Sequence, residues 1–350
     1  NSSTMARHVA FHEGTKALDG GVSLGASKPR TLSQHYLGSE KAFQVLAFTA
    51  MEGLAERLAT YDPSRFAYHK TKWNKFADGT DDIEIGGFYP ENLIRGEHVL
   101  FLASFHSNDV TLSQFHVLNM LCESFIESLT IILPFYPTGT MERVTKEGVV
   151  ATASTLARLF SNLPRVGKPI RILIYDLHTL QNRFYLSGNS LASLHSAIPL
   201  LVKEIKKSKI NCIAFPDEGA CKRFSEMFKH EFPDFPIVIC GKVRDGDKRI
   251  VSIQDGDPEG RNVIIVDDLV QTGGTLIECG VALKKRGAAS VSAFVTHAVF
   301  PKGWDKFLRA NGGPFETVFL TDSNPTVTDR LPRDDVFKVL DLLPQIVKDL

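Results

Sequence analysis

Residues Val263–Leu276 read V-I-I-V-D-D-L-V-Q-T-G-G-T-L, and this stretch decides the fold class. Its first four residues are all β-branched and predict a buried strand. A Thr-Gly-Gly-Thr turn then leads into an apolar run that opens at Leu276 and predicts a helix. Gly273 and Gly274 let the backbone approach a ligand, and the first N–H groups of the next helix favour an anion there. The succession indicates an α/β fold with a phosphate-binding loop.

The polar side chains of the same stretch suit a sugar phosphate. The hydroxyls of Thr272 and Thr275 add donors for phosphate oxygens. Asp267 and Asp268, expected at the carboxyl end of the strand, can accept hydrogen bonds from vicinal ribose hydroxyls. The alternative interpretation is an ordinary strand, loop and helix with a solvated acidic turn. A strand, a paired acid and T-G-G-T in succession form a more specific pattern than a lone glycine motif. This specificity favours the sugar-phosphate site.

The whole chain has the size and composition of a globular protein with two domains. It has 350 residues, of which 43% are hydrophobic and 23% charged, and its formal net charge is zero. This balance gives no electrostatic reason to bind nucleic acid or an anionic membrane. No apolar run approaches the ~20 residues that a membrane span needs. We therefore expect no nucleic-acid or membrane partners. The five cysteines are scattered without a C-x-x-C pair, which favours reduced thiols in the cytosol or a reducing organelle, and we expect a cytoplasmic protein.

A second stretch of the chain repeats the first. R-G-E-H-V-L-F-L-A-S-F-H-S-N-D-V-T-L (Arg95–Leu112) aligns without a gap with E-G-R-N-V-I-I-V-D-D-L-V-Q-T-G-G-T-L (Glu259–Leu276). The two strands match, but the first copy has Ala-Ser in place of the acid pair and Asp-Val in place of the two loop glycines. The repeat predicts two copies of one α/β domain, of which only the second keeps the sugar-phosphate residues. Chance similarity between two buried strand–helix units is the alternative.

The expected organisation follows from this repeat. We expect a flexible N-terminal extension, a first domain and a second domain with the ribose-phosphate loop: 1–40, 41–190 (with 329–350 a candidate to rejoin it) and 191–328. Apolar residues at helical spacing predict a helix from Lys41 onward and another over Asp335–Leu350.

The motif V-D-D-L-V-Q-T-G-G-T resembles the phosphoribosyl-diphosphate (PRPP) binding motif of type I phosphoribosyltransferases and of ribose-phosphate pyrophosphokinases. Five further segments resemble the second family and follow its order: F-A-D-G (Phe76–Gly79), Y-D-L-H (Tyr175–His178), F-P-D-E-G-A (Phe215–Ala220), K-V-R (Lys242–Arg244) and V-T-H-A-V-F (Val295–Phe300). The similarity is closest to the plant-type synthetases, which work without phosphate activation. It implies two tandem type I phosphoribosyltransferase-like domains, each a mostly parallel sheet flanked by helices.

The resemblance implies a reaction and the residues that carry it. In the family, the anomeric hydroxyl of ribose 5-phosphate attacks the β-phosphorus of ATP, giving PRPP and AMP with Mg²⁺ as the cofactor. Lys242 and Arg244 match the family's catalytic loop, and two β-rich runs around them predict a hairpin; a solvated basic hairpin is the alternative. The implied ribose 5-phosphate site combines Asp217 with the acid pair and the loop: Asp217, Asp267, Asp268, Gln271, Thr272, Gly273, Gly274 and Thr275.

The resemblance also implies metal and nucleotide residues. His178 and Asp217 match metal ligands, and His178 matches an ATP-phosphate contact as well, although a histidine after a strand is more often structural. Phe76 and Asp78 match a loop that contacts adenine across a subunit boundary, with a simple β-turn as the alternative. Arg143 falls near the family's nucleotide-binding arginines. A site shared between subunits implies a homo-oligomer.

The chain departs from the family pattern at three places. Gln271 and Thr80 stand where many members have acids, and P-F-Y-P-T-G-T-M-E-R lacks the basic cluster of phosphate-activated members. The third departure implies activity without inorganic phosphate. Two other functions stay open, a nucleobase phosphoribosyltransferase and a catalytically silent homologue that regulates an active synthetase. The presence of Lys242, Arg244 and His178 with the acid pair favours an active diphosphokinase.

Overall fold

The structure, a computed structural model, describes residues 42–245 and 248–350, and for residues 242–245 and 248–250 it describes the backbone alone. The extension predicted for residues 1–40 lies outside the described residues. Residues Lys41–Leu350 form one unit built around two large β-sheets. Within the described ranges, no helix is both long and apolar enough to cross a lipid bilayer.

The first half of the chain forms a six-stranded, fully parallel sheet. The strands of this half, including two outside that sheet, are β1 (Phe43–Ala47), β2 (Phe66–Tyr68), β3 (Lys72–Lys75), β4 (Asp81–Glu84), β5 (His98–Leu102), β6 (Ser128–Ile132), β7 (Ile170–Tyr175) and β8 (Ser190–His195). The sheet has the spatial order β2-β1-β5-β6-β7-β8, and β3 and β4 form a separate antiparallel hairpin. The helices of this half are α1 (Glu52–Tyr61), α2 (Asn108–Cys122), α3 (Thr152–Ser161) and α4 (Ile198–Ile205).

The second half forms a seven-stranded sheet. Its strands are β9 (Cys212–Phe215), β10 (Ile237–Asp245), β11 (Lys248–Asp255), β12 (Asn262–Val270), β13 (Ser290–Ala298), β14 (Val318–Thr321) and β15 (Phe337–Leu340). They lie in the order β11-β10-β9-β12-β13-β14-β15, and β11 is antiparallel to β10 whereas the other neighbours pair in parallel. The helices are α5 (Glu218–Glu231), α6 (Gly274–Lys285), α7 (Pro325–Thr328) and α8 (Leu343–Asp349).

The two sheets share one topology. In each, the first strand (β1 or β9) lies between the second (β2 or β10) and the third (β5 or β12), and three further strands follow in chain order. Both chain halves also insert an extra hairpin element between the second and third strands, β3–β4 in one and β11 in the other. The aligned residues His98 and Asn262 open β5 and β12. This common order confirms the predicted α/β fold with two mostly parallel sheets and supports the duplication.

The last helix of each half packs on the other half. Helix α4 follows β8 but contacts α5, whereas α8 follows β15 but contacts α1. Nη2 of Arg171 in β7 donates to the main-chain oxygen of Asp349 at 2.8 Å, which ties α8 to the first sheet. Because the helices are exchanged, one hydrophobic cluster contains buried residues of both halves, such as Leu201 and Ile346.

Three details of secondary structure differ from the sequence-based expectations. The helix predicted from Lys41 is strand β1 followed by α1, because a short strand buried on both faces has no period that separates it from a helix. The helix predicted over Asp335–Leu350 begins only at Leu343, because β15 pairs with β14. Strand β8 pairs with β7 as far as His195, so the first sheet passes the expected boundary at residue 190.

Candidate active site

A cavity of about 470 Å³ lies at the carboxyl ends of β9 and β12. It is lined by residues 267–276 with Pro216 and Asp217 from the second half of the chain, and by Thr140 and His178 from the first half. Open α/β sheets bind their ligands at this end. The structure therefore brings together Asp217, His178, the acid pair and the whole predicted ribose-phosphate loop.

Strand β12 runs further than the sequence predicts. It continues through Asp267 and Asp268 to Val270, and it pairs Asp267 with Val295 and Leu269 with His297 of the nine-residue strand β13. The long partner strand explains the extension, since it continues opposite Asp267, Leu269 and Val270. The acid pair consequently lies on a rigid strand rather than in a turn.

The loop after β12 turns at Gly273, which has a left-handed φ of 76°. A Cβ atom there would lie 2.3 Å from Cε2 of Phe307, so both the backbone and the available space require glycine. A Cβ atom on Gly274 would have Thr272 Oγ1 as its nearest neighbour, at 4.0 Å. Helix α6 begins at Gly274, so unpaired N–H groups of its first turn belong to residues that line the cavity. This arrangement suits a phosphate group.

His178 and Asp268 join the two halves of the chain inside the cavity. Nδ1 of His178 donates to Oδ2 of Asp268 at 2.7 Å, because an ionised carboxylate can only accept. Nε2 of His178 is left for a ligand, and histidines in metal sites usually donate their other nitrogen to a carboxylate in this way. The hydrogen bond to Asp268 raises the pKa of His178 against the opposing effect of burial.

The two neighbouring carboxyl groups differ in their affinity for a proton. Burial raises the pKa of Asp267 well above its usual value, and the negative charge of Asp268 raises it further. Burial also acts to raise the pKa of Asp268, but the hydrogen bond from His178 and the charge on that imidazole lower it below its usual value. Asp268 is therefore the anionic member of the pair, and Asp267 binds a proton more readily.

Asp217 opens helix α5 as its N-cap, with Oδ1 accepting the backbone N–H of Ala220 at 2.9 Å. Among the described residues, no three His, Cys, Asp or Glu side chains group as a metal site made of protein ligands alone. A cation held by His178 Nε2 and exposed Asp217 would take water and phosphate oxygens as its remaining ligands, as Mg²⁺ usually does at nucleotide sites. The residues present fit a substrate-bridged Mg²⁺ site.

A neighbouring cavity of about 280 Å³ shares Thr140, His178, Leu269 and Gln271 with the first. Further lining residues come from strand ends in both halves and include His106, Phe135, Tyr136, His297, Asn324 and Thr326. Sequence reasoning did not find this cavity because its residues come from six segments that are far apart along the chain. The two cavities meet at His178, so two ligands can lie on either side of that residue.

Three of the residues predicted to bind ATP lie away from both cavities in this one chain. Phe76 and Asp78 form the tip of the β3–β4 hairpin, where Oδ1 of Asp78 accepts the N–H and the hydroxyl of Thr80 at 2.9 and 2.6 Å. This is the turn that the alternative interpretation describes, and it leaves Phe76 56% exposed. Nε of Arg143 pairs with Glu142 at 3.0 Å, and the Arg143 side chain is 82% exposed. Adenine contact by Phe76 across a subunit boundary stays a prediction.

The hairpin predicted around Lys242 and Arg244 is present. Strands β10 and β11 pair antiparallel, with Lys242 opposite Val251 and Arg244 opposite Arg249. Strand β10 also pairs with β9, whose carboxyl end leads to Asp217 at the cavity. The hairpin therefore leaves the sheet beside the cavity, while the side chains of Lys242 and Arg244 lie outside what the structure describes.

Arg223 is a site residue that sequence reasoning missed. It lies on α5, and its Nη1 is 3.5 Å from Oδ2 of Asp268 and donates to the main-chain oxygen of His178 at 3.2 Å. A signal was available in the sequence, because α1 and α5 share the pattern E-G-x-x-x-R, with Arg57 at the same position of α1.

The fold and the loop define the class of phosphoribosyltransferase-like α/β proteins. The model of the Phosphoribosyl transferase domain matches residues 216–303, which include Asp217, strand β12 and the T-G-G-T loop. The match covers the copy that holds the sugar-phosphate residues and leaves out the first copy, as expected if the first copy has diverged.

Curated relatives match most of the chain. Ribose-phosphate pyrophosphokinase 3, chloroplastic, of Oryza sativa subsp. japonica is 44% identical over 90% of this chain and 77% of the relative. Ribose-phosphate pyrophosphokinase 3, mitochondrial, of Spinacia oleracea is 44% identical over 85% of this chain and 74% of the relative. The crystal structure of phosphoribosylpyrophosphate synthetase from Mycobacterium smegmatis shares the fold, with a TM-score of 0.73 and 24% identity over 88% of this chain and 97% of that chain. The chain belongs to the ribose-phosphate pyrophosphokinase family, which confirms the resemblance.

Proposed function

We propose that the protein is a ribose-phosphate diphosphokinase, which transfers the β,γ-diphosphoryl group of ATP to the anomeric hydroxyl of ribose 5-phosphate and gives PRPP and AMP for nucleotide biosynthesis. The shared cavity carries this proposal, because His178 of the first half meets the T-G-G-T loop and the acid pair of the second half there. A nucleobase phosphoribosyltransferase needs the loop, but it has no use for a histidine supplied by a second copy of the domain.

In this proposal the β12–α6 loop holds ribose 5-phosphate. The first N–H groups of α6 and the hydroxyls of Thr272 and Thr275 bind the phosphate group. Asp268 and Asp267 accept hydrogen bonds from the ribose hydroxyls. Gln271 lines both cavities and so lies at the junction between the sugar and the nucleotide. Rigid attachment of the acids to β12 fixes the sugar before the second substrate binds.

The chain's contribution to the transfer is positioning and charge compensation. Mg²⁺, when bound by His178 and Asp217, would neutralise charge on the phosphate oxygens of ATP. The hydrogen bond from Nδ1 to Asp268 holds the imidazole of His178 so that Nε2 is available to that ion. Lys242 and Arg244, carried by the β10–β11 hairpin, supply cations for the transferred group. Closure of the hairpin over bound substrates would exclude water from the site.

The cavity of about 280 Å³ beside His178 is the proposed place for the nucleotide side of the reaction. Phe76 and Asp78, exposed at the tip of their hairpin, would complete the ATP site from a neighbouring copy of the chain, and Arg143 would add a further nucleotide contact. The protein is therefore proposed to work as a homo-oligomer. Relatives named for the chloroplast and the mitochondrion give no support to the predicted cytoplasmic location.

The proposed domain division follows the sheets. The first domain comprises the strands up to β8 and the second comprises β9 to β15, so the boundary falls after His195. The segment 329–350 was a candidate to rejoin the first domain; α8 packs on the first half, whereas β15 belongs to the second sheet.

One assay tests the proposed reaction. The protein is incubated with ATP, Mg²⁺ and ribose 5-phosphate, and AMP and PRPP are expected in equal amounts. Consumption of PRPP only in the presence of a nucleobase would support the phosphoribosyltransferase instead. Absence of any product would support the silent regulatory homologue.

The role of the hairpin has its own test. Lys242→Ala should lower turnover by roughly a thousandfold, which corresponds to ~4 kcal/mol of barrier, with a smaller effect on ATP binding. Lys248→Ala, on the returning strand β11, is the matched control and should keep turnover near that of the unsubstituted protein. Equal turnover in the two variants would remove Lys242 from the mechanism.

A further inference from the structure

The duplicated helices α1 and α5 each direct an arginine at an aspartate that directly follows a strand. Nη2 of Arg57 lies 2.7 Å from Oδ2 of Asp322, after β14, and Nη2 of Arg223 lies 4.0 Å from Oδ1 of Asp176, after β7. The topology makes β7 and β14 equivalent strands of the two sheets. The pairs Arg57–Asp322 and Arg223–Asp176 are thus two copies of one contact between a helix and a strand end, which we call the arginine joint.

Each aspartate of this joint also holds the exchanged helix of its own half. Asp176 accepts the backbone N–H of Ala197 at the start of α4, at 2.9 Å. Asp322 accepts the backbone N–H of Leu342 at the start of α8, at 2.8 Å. The joint therefore has the same structural role in both copies. This shared role gives Arg223 no function that Arg57 lacks.

Beyond the joint, the two arginines have different partners. Arg57 turns outward to Asp341 at 3.2 Å, and its side chain is 48% exposed. Arg223 turns inward to Asp268 at 3.5 Å and to the main-chain oxygen of His178 at 3.2 Å, and its side chain is 15% exposed. Only the copy with the sugar-phosphate loop has an arginine connected to the acid pair and to the histidine of the cavity.

We propose that Arg223 is a positioning residue for the reaction, a role that rests on the proposed function. Neither of the two cavities described above has Arg223 among its lining residues. Arg223 therefore acts through Asp268 and through the segment after β7 that carries His178, here called the His178 loop. Asp268 belongs to the second half and the His178 loop to the first half. One guanidinium group thus fixes the ribose-binding carboxylate and the metal-binding histidine relative to each other.

The chemistry of the side chain explains why an arginine occupies this position. A guanidinium presents five N–H donors in a planar fork, so it can contact a carboxylate, a carbonyl and a second carboxylate together. Its flat face also lies over the ring of Phe224, 4.7 Å from the ring centroid, which fixes its orientation. A lysine has one compact ammonium group and can satisfy only part of this set.

The duplication supplies a matched control for the test. Arg223→Met and Arg57→Met each remove one arginine from equivalent joints, so both should lower the thermal midpoint by a few degrees. Arg223→Met should lower kcat/KM for ribose 5-phosphate about a hundredfold and weaken ribose 5-phosphate binding measured by calorimetry without metal. Its KM for ATP should change less than threefold. Arg57→Met should keep all three quantities within twofold of the unsubstituted protein.

Two further variants keep the proposal testable if Arg223→Met folds poorly. Arg223→Lys keeps the charge and should recover stability while kcat/KM for ribose 5-phosphate stays at least tenfold low. Guanidinium ion added at millimolar concentration should partly restore Arg223→Ala and leave Arg57→Ala unchanged.

The proposal is overturned if Arg223→Met binds ribose 5-phosphate and turns over normally, or if Arg57→Met loses as much kcat/KM as Arg223→Met. Full recovery by Arg223→Lys would also overturn it, because charge alone would then suffice. If the unsubstituted protein makes no PRPP, the proposed function fails. The calorimetric comparison of Arg223→Met with Arg57→Met then still decides whether Arg223 organises the sugar-phosphate site.

Discussion

At the scale of single residues, two adjacent carboxyl groups on one strand have different protonation behaviour. Asp267 has a pKa raised by burial and by the charge of Asp268, whereas Asp268 is kept anionic by His178. The sequence shows two identical acids, and neither spacing nor composition can separate them. Their difference comes from His178, which lies 90 residues away along the chain and reaches only Asp268.

We expect Asp267→Asn to stabilise the ligand-free protein at neutral pH. A carboxyl group whose pKa is raised on folding stabilises the fold at low pH, and this stabilisation is lost as the pH rises through the folded-state pKa. Asparagine avoids that loss because it resembles the protonated acid and does not ionise. Thermal unfolding at pH 8 should therefore give a higher midpoint for Asp267→Asn than for the unsubstituted protein.

Asp268→Asn is the matched control and should have the opposite effect. It removes the anionic partner of His178 and of Arg223, so its thermal midpoint at pH 8 should fall. If both asparagine variants shift the midpoint in the same direction, the assignment of the anionic member is wrong.

The two glycines of the loop should respond differently to alanine. Gly273→Ala has to adopt a φ of 76° and to displace the buried ring of Phe307, so we expect a loss of about 2–4 kcal/mol in unfolding free energy. Gly274→Ala meets no atom closer than 4.0 Å and lies in a helix, so its stability should be equal or higher. Urea unfolding of both variants measures the difference. A Gly273→Ala variant as stable as Gly274→Ala would contradict the geometry of the turn.

At the scale of secondary-structure elements, the sequence predicted the loop, the repeated strand and the β10–β11 hairpin, because each has a local signal. V-I-I-V followed by T-G-G-T is readable without tertiary contacts, and so are two β-rich runs around a Gly-containing polar segment. Strand β1 was wrongly predicted as helix because a five-residue strand buried in a parallel sheet shows no alternation. The short strand β15 was wrongly included in a helix because its pairing with β14 is a tertiary contact.

The joint that holds α8 should make stability depend on pH through Asp322. Burial, against the lowering effect of the Leu342 N–H, raises the pKa of Asp322 to about 6. An unfolded aspartate has a pKa of about 3.9, so the folded state binds the extra proton between these values and stability falls as the pH rises through them. Relative to Asp322→Asn, the unsubstituted protein should lose roughly 2 kcal/mol of unfolding free energy between pH 4 and pH 7.

Urea unfolding of both proteins at several pH values measures this difference. Asp341→Asn is the comparison variant: the Asp341 side chain is 50% exposed, and its charge contributes less than burial to the raised pKa of Asp322, so most of the pH dependence should remain. A constant difference between the unsubstituted protein and Asp322→Asn across this range would mean that Asp322 ionises in the fold as readily as in the unfolded chain.

At the scale of the whole molecule, an alignment of 18 residues was enough to predict duplication, but not how the two copies fit together. The exchange of α4 and α8 leaves no local signal, because a helix looks the same whichever sheet it covers. The arginine joints were also missed, although E-G-x-x-x-R occurs in both copies, since a six-residue pattern gains meaning only when its partners Asp176 and Asp322 are known.

Because His178 and Asp268 come from different halves, ribose 5-phosphate should order both halves at once. Hydrogen exchange with ribose 5-phosphate alone is expected to slow at residues 266–278 and also at residues 176–180 of the first half, with α2 unchanged as the internal reference. In His178→Ala, protection of residues 266–278 should persist and protection of residues 176–180 should be lost, since the hydrogen bond between the halves is absent. Protection confined to the second half in the unsubstituted protein would show that the sugar phosphate is recognised by one copy alone, and the coupling of the two copies at His178 would then have to come from the nucleotide.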